Sequence, residues 1–213
     1  MGLNKEELAN RLGKYIPLAA TSYVSEFVIE HRVHLHIKSA RTTRLGDYRP
    51  PQQGNPHRIS VNNDLNPYAF LITLTHEMSH LLAWIRYKNS IKPHGIEWKA
   101  IYTSEMLRWL QLEIFPEHLA AAVVQHLDNP RASTCADPEL YRVLRTFDRT
   151  PAGTVLNELA PGEWFTIKGG RVFQKGNLRR TRYICMELHS QRYYAISGET
   201  VVESLPPPAE YNL

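Results

Sequence analysis

The chain has 213 residues, of which 43% are hydrophobic and 22% charged, enough for one full core or for a main domain with a small appendage. Its two cysteines, Cys135 and Cys185, lie in separate segments. That excludes a disulfide framework and a cysteine-ligated zinc site, and both read as free thiols of a reducing cytoplasm. The net charge of +4 permits a polyanionic partner without requiring one. No apolar run is long enough to span a membrane, and "MGLNKEELANRLGKYIP" lacks the apolar stretch of a secretory signal. The expectation is a cytoplasmic monomer.

Leu3 to Tyr15 reads as a helix, with Leu8, Leu12 and Tyr15 on one face, Asn4 as its cap and Glu6 and Glu7 in the first turn. Val24 to Glu30 is apolar and fits either helix or strand. In "RVHLHIK", Val33, Leu35 and Ile37 alternate with His34 and His36, the pattern of a half-buried strand with the histidines on its solvated face. Arg41 to His57 reads as a hairpin turn and long loop, and "HRISVNNDL" as a short strand ending in a turn. The clearest helix is "NPYAFLITLTHEMSHLLAWIRYK". Asn66 caps it, Pro67 takes its first position, and Leu71, Leu74, Met78, Leu81 and Ile85 form an apolar stripe. Further helices are expected from Ile96 to Leu112 and from Pro116 to Leu127. Residues 128–162 read as a linker with one short amphipathic helix, "PELYRVLRTFD". From Glu163 five short runs ("EWFTI", "RVFQK", "TRYICMEL", "RYYAI" and "TVVES") predict a small antiparallel sheet or barrel to about residue 205, followed by a loose tail over 206–213.

The chemistry centres on "LTHEMSHLL". His76 and His80 are four residues apart, so a helix places both imidazoles on one face, within reach of one metal ion. They fall nearly opposite the apolar stripe. Glu77 is then beside the ion rather than bound to it, placed to take a proton from a zinc-bound water and pass it to a leaving amine. A catalytic zinc needs a third protein ligand and one open position. The metzincin spacing is excluded, because Ala83 and Arg86 stand where it requires glycine and histidine. Glu97 and Glu105 would complete a thermolysin-like set. His94, in "KPHGIEW", precedes a helix, and Gly95 offers backbone freedom at the approach.

The pair "HEMSH" and "HGIEW" resembles the SprT-like zinc metalloproteases, which include bacterial SprT proteins and the eukaryotic Spartan protease. The resemblance covers about Val24 to Leu112. It implies an α+β, zincin-like metalloprotease core over residues 1–127, with one catalytic Zn2+ held by His76, His80 and His94 and with Glu77 as general base. It makes Glu97 a first-turn helix residue or a partner of a ligand. Protein or peptide substrates are implied, and the family leans toward DNA-bound ones. In such proteases an edge strand beside the active helix pairs with the extended substrate, and Ile59, Ser60, Val61 and Asn62 are the candidates for it. The cysteine zinc ribbon carried by many members is missing, so no second zinc is expected.

The β segment is basic. Lys168, Arg171, Lys175, Arg179, Arg180 and Arg182 occur without an acidic residue among them, interleaved with Phe173 and Tyr183, which suits phosphate contacts and base stacking. The leading reading is a zinc peptidase acting on proteins, including proteins attached to DNA. The alternative is a DNA- or protein-binding module whose zinc is structural or weakly active.

Overall fold

The structure is a computed structural model that describes residues 4–41, 43–52, 54–131, 137–148, 154–167 and 169–208. Among these are six α-helices and two sheets, an α+β protein, divided into two compact units, Met1–Arg149 and Thr150–Leu213.

In the first unit, α1 (Lys5–Leu12) starts in a reciprocal cap. The Asn4 side chain accepts from the Glu7 N–H at 2.8 Å, and the Glu7 carboxylate accepts from the Asn4 N–H at 3.3 Å. It stops at Gly13, short of the expected Tyr15. The apolar stretch that fitted either state is helical: α2 (Leu18–Glu30) begins after Pro17 and buries Ala20, Val24, Phe27 and Val28 at helical spacing.

Three strands follow. β1 (His34–Lys38) and β3 (Arg58–Asn62) form where expected, and β2 (Gly46–Arg49) forms inside the segment read as loop. The sheet order is β1-β3-β2, with β1 parallel and β2 antiparallel to β3. β3 is therefore the central strand, with Ile59 and Val61 in the core. His34 and His36 are exposed, as their solvated face predicts.

Helix α3 (Pro67–Tyr87) is capped by Asn66, whose side-chain oxygen accepts from the Ala69 N–H at 2.9 Å. Its apolar stripe is buried from Leu71 to Leu81, while Ile85 at the far end is exposed. Burial extends well beyond the stripe, because Phe70, Ile72, Thr73, Thr75 and Ser79 are also covered. The hydroxyls of Thr75 and Ser79 tolerate this by donating to carbonyls one turn back, at 2.8 and 2.7 Å. Thr75 also accepts from the indole N–H of Trp109 at 2.9 Å, which ties α4 (Ile96–Gln111) to α3. α5 (Glu117–Leu127) follows Pro116. α6 (Pro138–Arg145), capped by Asp137, places Leu140, Val143 and Leu144 in the same core. The segment read as a linker thus supplies a core face of the first unit.

The second unit holds β4 (Trp164–Thr166), β5 (Val172–Gln174), β6 (Leu178–Arg179), β7 (Arg182–Glu187), β8 (Tyr193–Ser197) and β9 (Glu203–Leu205). The sheet order is β6-β7-β5-β4-β9, all pairs antiparallel, with β8 on β7. β5 and β6 lie end to end along one side of β7. The break between them is at Gly176, where a Cβ would come 2.1 Å from the Ile184 carbonyl oxygen, so only glycine fits. Leu156, Leu159, Phe165, Phe173, Cys185 and Val202 form the core. Cys185 is a free, buried thiol acting as a small apolar residue. Cys135 and most of the terminal tail lie outside the described residues.

Candidate metal centre

Helix α3 places the His76 and His80 rings one turn apart, and the loop before α4 brings in the third. His94 reaches inward from a left-handed backbone, φ 57°. The strained position is His94 itself. Gly95, expected to supply the freedom, is the extended N-cap of α4 with φ −70°. Conformational strain on a non-glycine residue is more often found at functional positions than elsewhere.

The three Nε2 atoms form a nearly equilateral triangle: His76 to His80 3.1 Å, His80 to His94 3.0 Å, and His94 to His76 3.1 Å. A tetrahedral zinc with nitrogens at roughly 2.0–2.1 Å needs them about 3.3–3.4 Å apart, so the observed spacing fits with a shift of a few tenths of an ångström. Hydrogen bonding alone cannot satisfy this triangle. A neutral imidazole has one N–H and one lone pair, and three converging Nε2 atoms set like groups against each other. A cation at the convergence point resolves the conflict. The donors are in the metal-binding form: burial, then the neighbouring imidazoles, lowers His76 to about 2 and His80 to about 4, and burial also lowers His94.

An aromatic wall orients the rings. Trp98, fully buried on α4, has its ring 4.6 Å from His76, 5.1 Å from His80 and 4.7 Å from His94. Tyr102 stacks behind it at 5.0 Å and meets His126 edge-on at 6.0 Å. His126 is in turn bonded to Asp137, Nδ1 to Oδ2 at 2.8 Å. The sequence places Trp98 and Tyr102 in the helix expected from Ile96 to Leu112, but not their stacking against the histidines.

Glu77 is 7% exposed and faces the outer edge of β2, where it accepts from the Tyr48 N–H. Burial, then Asp47, raises its carboxyl to about 8, against the opposing pull of Arg41, the Tyr48 N–H and Arg44. Gly46 makes the close approach possible. A Cβ there would stand 2.5 Å from Glu77 Oε1 and 2.9 Å from Thr73 Cγ2. Gly46, Tyr48 and Arg41 escaped the sequence reading, because a strand of four residues amid Arg, Pro and Gly gives almost no periodic signal.

The remaining candidates separate. Glu97 is exposed in the first turn of α4, and Glu105 accepts from the Tyr23 hydroxyl at 2.6 Å. Among the described residues the only metal-competent cluster is His76, His80 and His94.

The edge-strand reading of Ile59 to Asn62 is corrected. β3 is hydrogen-bonded on both sides, and Ser60 and Asn62 hold Arg41 at 3.1 and 2.8 Å. Among the described residues, the strand at the edge of this sheet beside Glu77 is β2.

The basic set in the second unit also divides. Arg179, Arg180 and Arg182 are exposed around the β6–β7 turn, and Arg179 directly opposes Arg182. Arg171 lies over the Phe173 and Tyr194 rings at 5.1 and 4.4 Å. Lys175 is withdrawn from solvent: its ammonium donates to the Leu159 and Asn157 carbonyls at 2.6 and 3.4 Å and sits 4.0 Å over Tyr183. It is a structural cation rather than part of an exposed basic face. Lys168 lies outside the described residues.

No helix among the described residues is long and apolar enough to cross a membrane. No curated protein and no solved structure matches the chain. Residues 18–114 match the model of the SprT-like family, a span that runs from the start of α2 through the three histidines to the end of α4. Over that span, somewhat less than half of the chain, the protein is similar to the SprT-like family.

Proposed function

We propose that the protein is a zinc-dependent metallopeptidase of zincin-like architecture that hydrolyses peptide bonds of protein substrates. One observation carries this reading: three Nε2 atoms 3.0–3.1 Å apart, with the Glu77 carboxylate next in sequence to the first of them. His76, His80 and His94 would hold the ion, which when bound supplies an acidified water and a Lewis acid for the peptide carbonyl. Glu77 takes the proton of the attacking water and delivers it to the departing amine nitrogen. Its carboxylate is held out of bulk solvent beside β2, close against Gly46. The extended substrate adds to the sheet along the outer edge of β2, so main-chain hydrogen bonds align the scissile carbonyl. Trp98 and Tyr102 keep the ligand rings in place.

The experiment compares two variants. Glu77→Gln retains zinc and loses about 10²–10⁴-fold in turnover. His80→Ala loses both zinc and turnover. Full activity of pure Glu77→Gln protein sinks the mechanism.

The same proposal extends to DNA-associated or DNA-crosslinked protein substrates. The support is the exposed cluster of Arg179, Arg180 and Arg182 on a short hairpin. Two arginines paired directly across strands repel each other, and a polyanion relieves that repulsion.

A further inference from the structure

A pocket of about 360 Å³ opens beside the metal centre and shares the His80 ring with it. That volume is in the range of side-chain and small-ligand sites. Its lining is mainly apolar, with Ala83 and Trp84 of α3, Tyr48 of β2, Ile91 in the following loop and Trp98 of α4, and Asn89 adds a polar group. Lys88 and Lys92 stand at its rim.

The walls are fixed before anything binds. The Tyr48 hydroxyl is bonded to His57 Nδ1 at 2.9 Å, and the His57 ring meets Trp84 edge-on at 5.2 Å. The Lys88 ammonium lies 3.7 Å over the Trp84 ring. Tyr48, Trp84 and Ile91 are nevertheless only half-buried. Apolar surface is thus held open to solvent against one face of a ligand histidine. Preorganised apolar concavity next to a reaction centre binds side chains rather than backbone.

We propose that this pocket seats a bulky apolar or aromatic side chain of the substrate polypeptide, from a residue flanking the bond that is cut. The proposal rests on the peptidase reading above and adds a side-chain preference to it. Main-chain pairing along β2 would give affinity for any extended chain, and the pocket would choose among positions on that chain. Ala83 controls its size. It follows His80 by three residues on the same helix and is 5% exposed. A larger side chain there fills the pocket from one wall without replacing a ligand.

The test incubates the zinc-loaded full-length protein with a random-sequence peptide library and reads the new termini by mass spectrometry. Phe, Tyr, Trp, Leu and Met should be enriched about tenfold or more over Gly and Ala at one position flanking the cuts. Ala83→Leu, with zinc content checked, should shift that position toward small residues. Ile91→Ala, a loop variant that trims another lining side chain, should shift it toward Trp. Cuts by the wild type without enrichment, or an unchanged cut profile in both variants, overturn the pocket assignment. A second measurement separates this idea from the peptidase reading. Zinc-loaded Glu77→Gln protein is titrated with one extended peptide carrying Phe, or with its Ala counterpart, following tryptophan fluorescence. Tighter binding of the Phe peptide with no cleavage of any peptide by wild type sinks the peptidase reading and keeps the pocket. Equal binding of the two peptides sinks the pocket.

Discussion

The two compact units bury polar groups in opposite ways. In the second, Lys175 is 3% exposed, yet its ammonium has two carbonyl acceptors and an aromatic face, so its charge is fully met. In the first, the Glu77 carboxylate is buried, and three partly buried imidazoles turn their Nε2 atoms on one another. Burial without adequate partners costs free energy in an isolated protein, and sites that bind ions are where that cost recurs. A buried charge alone therefore says little about function. What separates the two units is whether the fold itself satisfies the group.

The strongest way to break this contrast is at Gly46. A methyl group there would stand 2.5 Å from Glu77 Oε1 and 2.8 Å from its Cγ. The carboxylate end is the part able to yield, so Gly46→Ala should leave the fold and the three histidines in place while pushing Glu77 out of position. A shift of about 1 Å at a reacting group can cost about 10²-fold. We expect kcat/KM to fall by about that factor with one zinc per chain retained. Normal turnover in Gly46→Ala would mean that Glu77 acts without the constraint of β2. Loss of zinc would mean that β2 supports the ligands as well as the base.

The hairpin arginines give a smaller effect. Arg179→Glu with Arg180→Glu removes two cations from a tip where Arg179 faces Arg182. Each lost phosphate contact lowers the salt dependence of single-stranded DNA binding by about 0.7 in the log–log slope. The double variant should therefore bind far more weakly at low salt and show a flatter salt profile, while its cleavage of short peptides is unchanged. Equal binding by wild type and variant would remove the hairpin from any nucleic-acid interface. Lys175 cannot substitute for them, since its ammonium is already engaged below the surface.

What the sequence made legible follows from signal length. Helix α3 carries 21 residues, a capping asparagine and an apolar stripe, and it was readable together with the relation of His76, Glu77 and His80. His94 stood beside Glu97 and Glu105 as a candidate, and only the paired motifs raised it above them, because its place depends on a turn that brings residues 14 apart into contact. β2 was lost in a loop, and with it the identity of the open sheet edge. That error propagated: without β2, β3 looked like an edge, although its buried Ile59 and Val61 belong to a central strand. The basic segment shows the same limit. Composition grouped Lys175 with the arginines, and nothing local reveals that an aromatic and two carbonyls await it. Helix α6 had a clear amphipathic pattern, but pattern alone does not say which core it joins.

Lys175 offers the finest test of the contrast between the units. Lys175→Met keeps the aliphatic stem and its packing on Tyr183 but removes the donor to the Leu159 and Asn157 carbonyls. Two acceptors lose a charged partner in a region where water has little access, which typically costs about 1–3 kcal/mol. For a unit of this size that is a fall in melting temperature of several degrees. The first unit has its own core and the candidate ligands, so zinc content and peptide cleavage should stay at wild-type levels below the transition. A thermal scan with parallel activity and metal measurements would show both. If cleavage fell along with the stability of the second unit, the two would be functionally coupled, and a group that the fold fully satisfies would still matter to catalysis.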